Sequence, residues 1–365
     1  MIGYLRYMLP TAMVAFGILG LVLGSSWCWM GTVVFLCLAA CDPFLGVDHS
    51  RREKSMPVLA NTILYFQIIP VFCLWIVFAW RMNAGAEFMT LIDFVGATIS
   101  VAFMTALGGL PAAHEMFHRS STSGKFIGSV LSTFFASSYA SLAHNHIHHI
   151  ETDTLNDTET PYRGENVYHF VVRAAARQHR ESWRIELTRL DRLGLSFWHP
   201  TNTILQGLIQ YAALQGLFFS IAGFRGMLML MCVSLLGLFI LEIFSYLQHY
   251  GLVRVPGSPI EKRHAWNHLT PISRALTFEI TAHSHHHIDP AVPYYELPPV
   301  IDAPQMPSAI TCFVAALIPP VWHRYIGRPK VQMWDENFAN AAELKLAAEA
   351  NLKAGWPESL TPALA

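Results

Sequence analysis

Three histidine clusters stand out in this 365-residue chain: His114-x3-His118, His144-x3-His148-His149 and His283-x2-His286-His287. Neutral imidazole is a ligand for zinc, copper, iron and nickel. On an α-helix, residues three or four apart sit about 60° or 40° from one another on one face. His114 and His118 therefore make a two-toothed clip, and His283, His286 and His287 make a fan. His149 lies about 140° round from His144 on an ideal helix. The middle cluster then either reaches two ions or sits at a helix end. A lone i,i+4 pair is usually a solvated face, but three such clusters beside apolar segments are not. Eight imidazoles exceed the needs of one ion, and the pattern asks for two metals at a membrane surface.

Other side chains are candidates for supporting roles. His249 stands at the end of an apolar segment, where an interfacial histidine is equally ordinary. His146 and His285 point away from their cluster neighbours, while His264 and His268 are candidates to support the ligands. Metal-bound histidine commonly donates its second N–H to a carboxylate or carbonyl, and Glu115, Asp153, Asp157 and Asp289 flank the clusters. Glu242 lies inside an apolar segment, two turns before His249 and on nearly the same face. Ionisable groups in a span are functional suspects, so Glu242 is expected to face the bundle interior and orient a ligand or a water chain. Arg119, Arg163 and Arg254 are expected to be exposed and to offer a docking patch for an acidic electron donor.

The elements that must position these residues are membrane helices. Hydrophobic residues make up 53% of the chain and charged residues 13%, about half the charge of a soluble domain. A net charge of −1 gives no electrostatic case for nucleic acid. Six apolar stretches, about 8–24, 27–45, 58–80, 88–110, 204–222 and 227–246, approach the ~20 residues a helix needs to cross a bilayer. Arg6 and the Arg51-Arg52-Glu53-Lys54 loop are basic, which places the N-terminus in the cytoplasm. Four spans later, His114 emerges on the same side. The Ser-rich stretch Phe126–Ala143 must then be a re-entrant or protein-buried helix, because a crossing would separate His114 from His144. Ala309–Trp322 is short and ends at Pro319-Pro320, so it too is expected to stop short of crossing. Asn337–Ala354 reads as a surface helix ending at Gly355-Trp356-Pro357. The expected fold is an all-α integral membrane protein: six transmembrane helices carrying a cytoplasmic His-rich cap. It forms a single domain over 1–365, with His-rich segments at 111–203 and 247–308 and a surface tail at 328–365.

The six cysteines all lie in apolar segments and form no C-x-x-C pair, so they read as buried hydrophobes. Thiolate ligation is absent and the chain carries no electron-transfer centre of its own. Zinc hydrolysis needs one ion with an open position. Two ions above a lipid-facing bundle suggest oxygen chemistry on an apolar substrate, for which iron is the best-suited metal. A transporter would place its ligands along a path near the bilayer midplane, whereas these histidines gather at one face.

The sequence resembles the membrane-bound non-haem di-iron alkane and xylene monooxygenase family over nearly its whole length. The resemblance rests on His114-Glu115-Met116-Phe117-His118-Arg119, the His144…His148-His149 cluster, Gln248-His249-Tyr250-Gly251-Leu252-Val253-Arg254 and His283-x2-His286-His287. The stretches Asp157-Thr158-Glu159-Thr160-Pro161-Tyr162-Arg163-Gly164, Ala303-Pro304-Gln305-Met306-Pro307-Ser308 and Lys353-Ala354-Gly355-Trp356-Pro357 are similar to the branch containing the xylene monooxygenase hydroxylase component and p-cymene methyl hydroxylase. The resemblance implies nine iron ligands, adding His249 to His114, His118, His144, His148, His149, His283, His286 and His287. It implies two Fe ions in a di-iron centre, with no haem or flavin in this chain; Glu242 and Asp157 stand beside that as the supporting residues suggested by charge and position. It implies hydroxylation of the methyl group of a xylene-, toluene- or p-cymene-type aromatic to a benzylic alcohol, at the cytoplasmic side of the inner membrane. Electrons would come from an NADH-dependent flavin/iron–sulfur reductase, or from rubredoxin if the chain is alkane-type. The alternatives within the resemblance are an alkane omega-hydroxylase and a fatty-acid desaturase or hydroxylase. Alkane hydroxylases carry Glu where Gln248 stands, so no role of that carboxylate transfers.

Overall fold

A computed structural model of the protein describes residues 2–51, 55–84 and 86–356. Residues 52–54 of the basic loop and Pro357 of the tail motif lie outside the described residues. Helices dominate, and the described residues contain no strand beyond one isolated bridge between Asn267 and Gln305.

The first four crossings are built around α1 (Leu9–Leu23), α2 (Met30–Cys41), α3 (Ile68–Ala84) and α4 (Leu91–Phe117). Helix α4 is the central column, packed against α1, α2 and α3. A reciprocal cap starts it: Thr90 Oγ1 accepts from the Asp93 N–H at 3.3 Å, and the Asp93 carboxylate accepts from the Thr90 N–H at 2.8 Å. Its 27 residues span about 40 Å, beyond the ~30 Å of a hydrocarbon core. The last turns, which carry His114, therefore project past the apolar layer.

Five helical stretches are long and apolar enough to cross a membrane, and the fifth, α7 (Thr203–His249), has 47 residues. A straight helix of that length would reach about 70 Å. Instead it breaks at Ala222 (φ −131°) and Gly223 (φ 59°). A Cβ at Gly226 would lie 2.5 Å from the Phe218 carbonyl oxygen. In a straight helix those residues would be about 12 Å apart, so the chain turns back sharply here. The two halves of α7 supply the fifth and sixth apolar stretches expected from the sequence.

The Ser-rich segment folds as α5 (Thr122–Thr133), packed along α4. Its 12 residues reach only about 18 Å, too short to cross. Its hydroxyls are satisfied by protein: Ser129 and Thr133 donate to Gln210 Oε1 of α7 at 2.9 and 3.0 Å. A left-handed turn at Ala136 (φ 54°) then sends the chain back toward His144. Near the C-terminus Ala309–Ala316 has eight residues and also stops short of a crossing.

The cap is tied to the bundle by buried polar contacts. Asp42, at the end of the second crossing, accepts hydrogen bonds from the hydroxyls of Thr270, Ser273 and Ser308. Arg6 pairs with Asp48 at 2.9 Å, and the Asp48 N–H donates to the Leu269 carbonyl at 2.7 Å. The N-terminal segment and the cap thus share one face of the bundle. The tail is pinned rather than free. Arg163 pairs with Asp335 at 2.6 Å, and His264 Nε2 donates to Glu343 at 2.7 Å.

Candidate metal centre

Four short pieces of chain bring nine imidazoles together. The end of α4 carries His114 and His118. The turn His144–His148 leads into His149, α7 ends at His249, and α8 (His283–Ile288) carries the third cluster. They sort into two sets. His114, His118, His144, His149 and His286 place one ligand atom each within 4.8 Å of one another, and so do His148, His249, His283 and His287.

The middle cluster divides between the sets because of its backbone. Residues 144–148 form a π-turn in which the His149 N–H bonds to the His144 carbonyl. That i→i+5 closure adds one residue to the turn and carries His149 back over His144, their Nε2 atoms 3.1 Å apart. His148 is left facing the other set. The 140° problem of an ideal helix is solved by not being one. Before α8, Phe278 (φ 49°) and Glu279 (φ 62°) are both left-handed. Arg274 Nε holds Glu279 Oε2 at 2.5 Å and the Tyr7 hydroxyl donates to Glu279, which anchors the third cluster to the first crossing.

In the four-histidine set every ring has its Nδ1 committed to an outer acceptor. His148 donates to Asp157 (3.0 Å), His249 to Asp153 (3.1 Å) and His283 to the Ile280 carbonyl (3.1 Å). His287 donates to the Thr152 hydroxyl at 3.1 Å, whose own hydrogen goes to the His148 carbonyl. A neutral imidazole with Nδ1–H has a bare Nε2. Yet Nε2 of His283 lies 2.9 Å from Nε2 of both His249 and His287. Bare lone pairs at that distance repel unless a cation lies among them, so the donor set fits a metal ion. In the five-histidine set only His144 has such a partner among the described residues, Glu159 at 3.4 Å. The buried His114 Nδ1, His118 Nε2, His149 Nδ1 and His286 Nε2 have no hydrogen bond to a described residue. Desolvated nitrogens left unpaired are costly, and a bound cation relieves the ones that face it.

Acids ring the four-histidine set. Burial pushes the Asp157 carboxyl up, but His148 and the Thr160 hydroxyl outweigh it and hold it down to about 2. Glu159 is likewise raised by burial and lowered more strongly by His148 and His144, to about 2. Both carboxylates contact imidazoles of the candidate site, Asp157 at His148 and Glu159 at His144.

Other expected residues lie elsewhere. Glu115 pairs with Arg119 at 2.7 Å and accepts from the Tyr294 N–H. Asp289 caps the end of α8 and accepts from the Ala291 N–H. Glu242 is fully buried, and its hydrogen-bond partner among the described residues is Gln178 of α6 (Val167–Arg192) rather than an imidazole. His264 serves Glu343, and His268 donates to the Pro307 carbonyl. The expected basic docking patch is overturned: Arg163 and Arg254 are 4% and 3% exposed. Arg163 is consumed by Asp335 and Asn351, and Arg254 by the carbonyls of Thr152, Ile150 and Ser258. Sequence reasoning missed Thr152 and Glu159 as partners of the imidazoles. The signal for Glu159 was its position two residues after Asp157 in the same loop.

Beneath the histidines a cavity of about 90 Å³ opens between α4 and α7. Ala106, Leu107, Leu110 and Pro111 wall it on one side, Leu241, Phe244, Ser245 and Gln248 on the other, and His114, His144, His148 and His283 at the metal end.

A multi-pass helical bundle with imidazole clusters suited to a metal centre at the end of a largely apolar cavity defines a membrane oxidoreductase that works on hydrophobic molecules. The Fatty acid desaturase family matches residues 91–313. The chain is 37% identical over 354 residues, covering 97% of it and 96% of the relative, to the xylene/toluene monooxygenase hydroxylase component of Pseudomonas putida. It is 27% identical to an alkane 1-monooxygenase of Pseudomonas putida, over 94% of this chain and 84% of that one. With alkane 1-monooxygenase 1 of Alcanivorax borkumensis it shares 26% identity, over 87% and 81% of the two chains. The chain belongs to the membrane-bound alkane/xylene monooxygenase family within the fatty acid desaturase group, and is an O2-dependent monooxygenase component with a metal centre.

Proposed function

We propose that the protein hydroxylates the methyl group of an apolar aromatic, of the xylene, toluene or p-cymene type, to a benzylic alcohol. The observation that carries this reading is a largely apolar cavity ending at four of the nine histidines. The likeness to a xylene/toluene hydroxylase component supports the aromatic substrate over an alkane. In this reading the five- and four-histidine sets each hold one iron, and His114, His118, His144, His149 and His286 face His148, His249, His283 and His287 across the pair. Bound ferrous iron would supply reductive activation of O2 and insertion of one oxygen atom into a C–H bond.

The chain's own residues do the rest. Asp157, Asp153, Thr152 and the Ile280 carbonyl fix the ring planes and tautomers of one set. Leu107, Leu110, Leu241 and Phe244 exclude water and hold the substrate by burial. An engineered cavity of ~150 Å³ accepts benzene, so about 90 Å³ requires a side chain such as Phe117 or Phe244 to swing aside for a methylarene. The methyl group must point at the histidine end. Electrons come from a separate donor, either an NADH-dependent flavin/iron–sulfur reductase or rubredoxin. The basic N-terminal segment supports a cytoplasmic N-terminus, which puts the metal end on the cytoplasmic side of the inner membrane.

The test is turnover by the membrane protein with each donor type, offered toluene, xylene, p-cymene and octane together, alongside iron analysis of the purified chain. Benzylic alcohols and two irons per chain are expected. Preferential octanol formation would move the assignment to an alkane hydroxylase, and a single bound ion would end the di-iron reading.

A further inference from the structure

A cavity meant only for a hydrocarbon has no use for amides, yet two line this one. Gln248 is 7% exposed, and its side chain makes no hydrogen bond to any described residue. Gln178 is 6% exposed. Its Nε2 donates to both oxygens of Glu242, at 3.0 and 2.8 Å, which leaves the carbonyl oxygen as the free end of the amide. The free amide atoms line the cavity and are reachable from it, and a hydrocarbon packed against them would leave them unpaired, which is unfavourable. The neighbouring polar groups do not relieve it: Ser245 donates to Glu159 at 3.0 Å, and Thr277 donates to the Ser273 carbonyl at 2.8 Å. Leu241, Ser245 and Gln248 follow an i, i+4, i+7 pattern and share one face of α7, so the amide of Gln248 stands on the same wall as the apolar contacts.

We propose that Gln248 and Gln178 form a hydroxyl-binding pole in this cavity, with the benzylic alcohol as its ligand. This rests on the hydroxylase reading above. A hydroxyl has one donor and acceptor lone pairs. It matches the free Gln178 carbonyl oxygen as acceptor and the Gln248 amide as donor or acceptor. The hydrocarbon substrate satisfies neither group. The cavity therefore discriminates in favour of the product, and Glu242 acts as a positioning residue that turns the Gln178 amide. The carboxylate within the sixth span thus acquires a role through Gln178 rather than through a ligand.

The test compares the metal-loaded full chain with Gln248→Met and Gln178→Leu variants in lipid nanodiscs. The inhibition constant of benzyl alcohol is measured against the KM of toluene. Losing one neutral hydrogen bond is worth roughly 5-fold, so the ratio of those constants should rise roughly 5-fold in each variant. Damage to folding or metal loading would move both constants together and lower iron content. In a melting experiment without turnover, benzyl alcohol should stabilise the parent protein more than toluene does, and the variants should lose that difference. A constant ratio together with unchanged ligand-dependent melting in both variants overturns the hydroxyl pole. Absence of toluene turnover in the parent protein would instead fail the hydroxylase reading, while the melting comparison would still report on the amides.

Discussion

Asp153 Oδ1 lies 3.1 Å from Nδ1 of His249, 96 residues further along the chain, and both side chains are fully buried. The carboxylate fixes the tautomer that leaves Nε2 of His249 turned toward His283. Supporting partners of this kind are typically worth roughly 10–100-fold in metal affinity. Asp153→Asn should lower affinity at the four-histidine set by that order while leaving the helical content unchanged. Competition with a chelator, read by metal analysis, checks it. Affinity equal to that of the parent protein would remove Asp153 from the site.

Metal removal should be biphasic. All four rings of one set have outer partners, whereas four of the five in the other have none among the described residues. Ligands without such partners are less firmly oriented. With one ion in each set, as proposed above, graded chelation should strip one per chain well before the other. His148→Ala should abolish the slow phase, and His118→Ala the fast one. A single-phase loss would contradict the asymmetry.

Arg163 and Asp335 form a two-pronged ion pair at 2.7 and 2.6 Å, each side chain 1% exposed. Removing one partner of a buried pair costs roughly 3–5 kcal/mol. Arg163→Met should lower the melting temperature sharply and loosen the helices Arg328–Asn337 and Ala341–Lys353 toward proteolysis. Adding Asp335→Leu should restore much of the loss. If the double variant melts no higher than the single one, the pair is not the fastening point.

The turn inside α7 depends on a bare backbone. A Cβ at Gly226 would meet the Phe218 carbonyl oxygen at 2.5 Å, and such overpacking costs roughly 1–3 kcal/mol. Gly226→Val should reduce the yield of folded protein in membranes and expose the turn to protease. Gly216, with nothing near its Cβ position, serves as the control, and equal yields from the two variants would discount the hairpin.

Phe244 and Phe117 both line the cavity. Phe244→Ala enlarges it, which should shift preference from toluene toward p-cymene by several fold in kcat/KM. Product ratios from a mixed-substrate assay give the answer, and an unchanged ratio would place the selective wall elsewhere.

Much of this was legible in one dimension. The apolar stretches, the His114–His118 clip and the fan of His283, His286 and His287 follow from helical periodicity, because neighbours three and four apart must share a face. The length of α4 likewise sets His114 beyond the apolar layer. Periodicity reports only on neighbours within one helix, so it was silent on what those faces meet. The π-turn at 144–148 is a backbone choice that no residue type announces, and it decides that His149 joins His144 while His148 crosses to the other set. The burial of Arg163 and Arg254 depends on carbonyls and carboxylates as many as 188 and 104 residues away, so their charge misled as a sign of exposure. Composition made the chain a membrane protein and histidine spacing made it a metal binder. Long-range packing alone divided nine histidines into sets of five and four, because only the folded cap brings residues from four segments to within a bond's reach of common points.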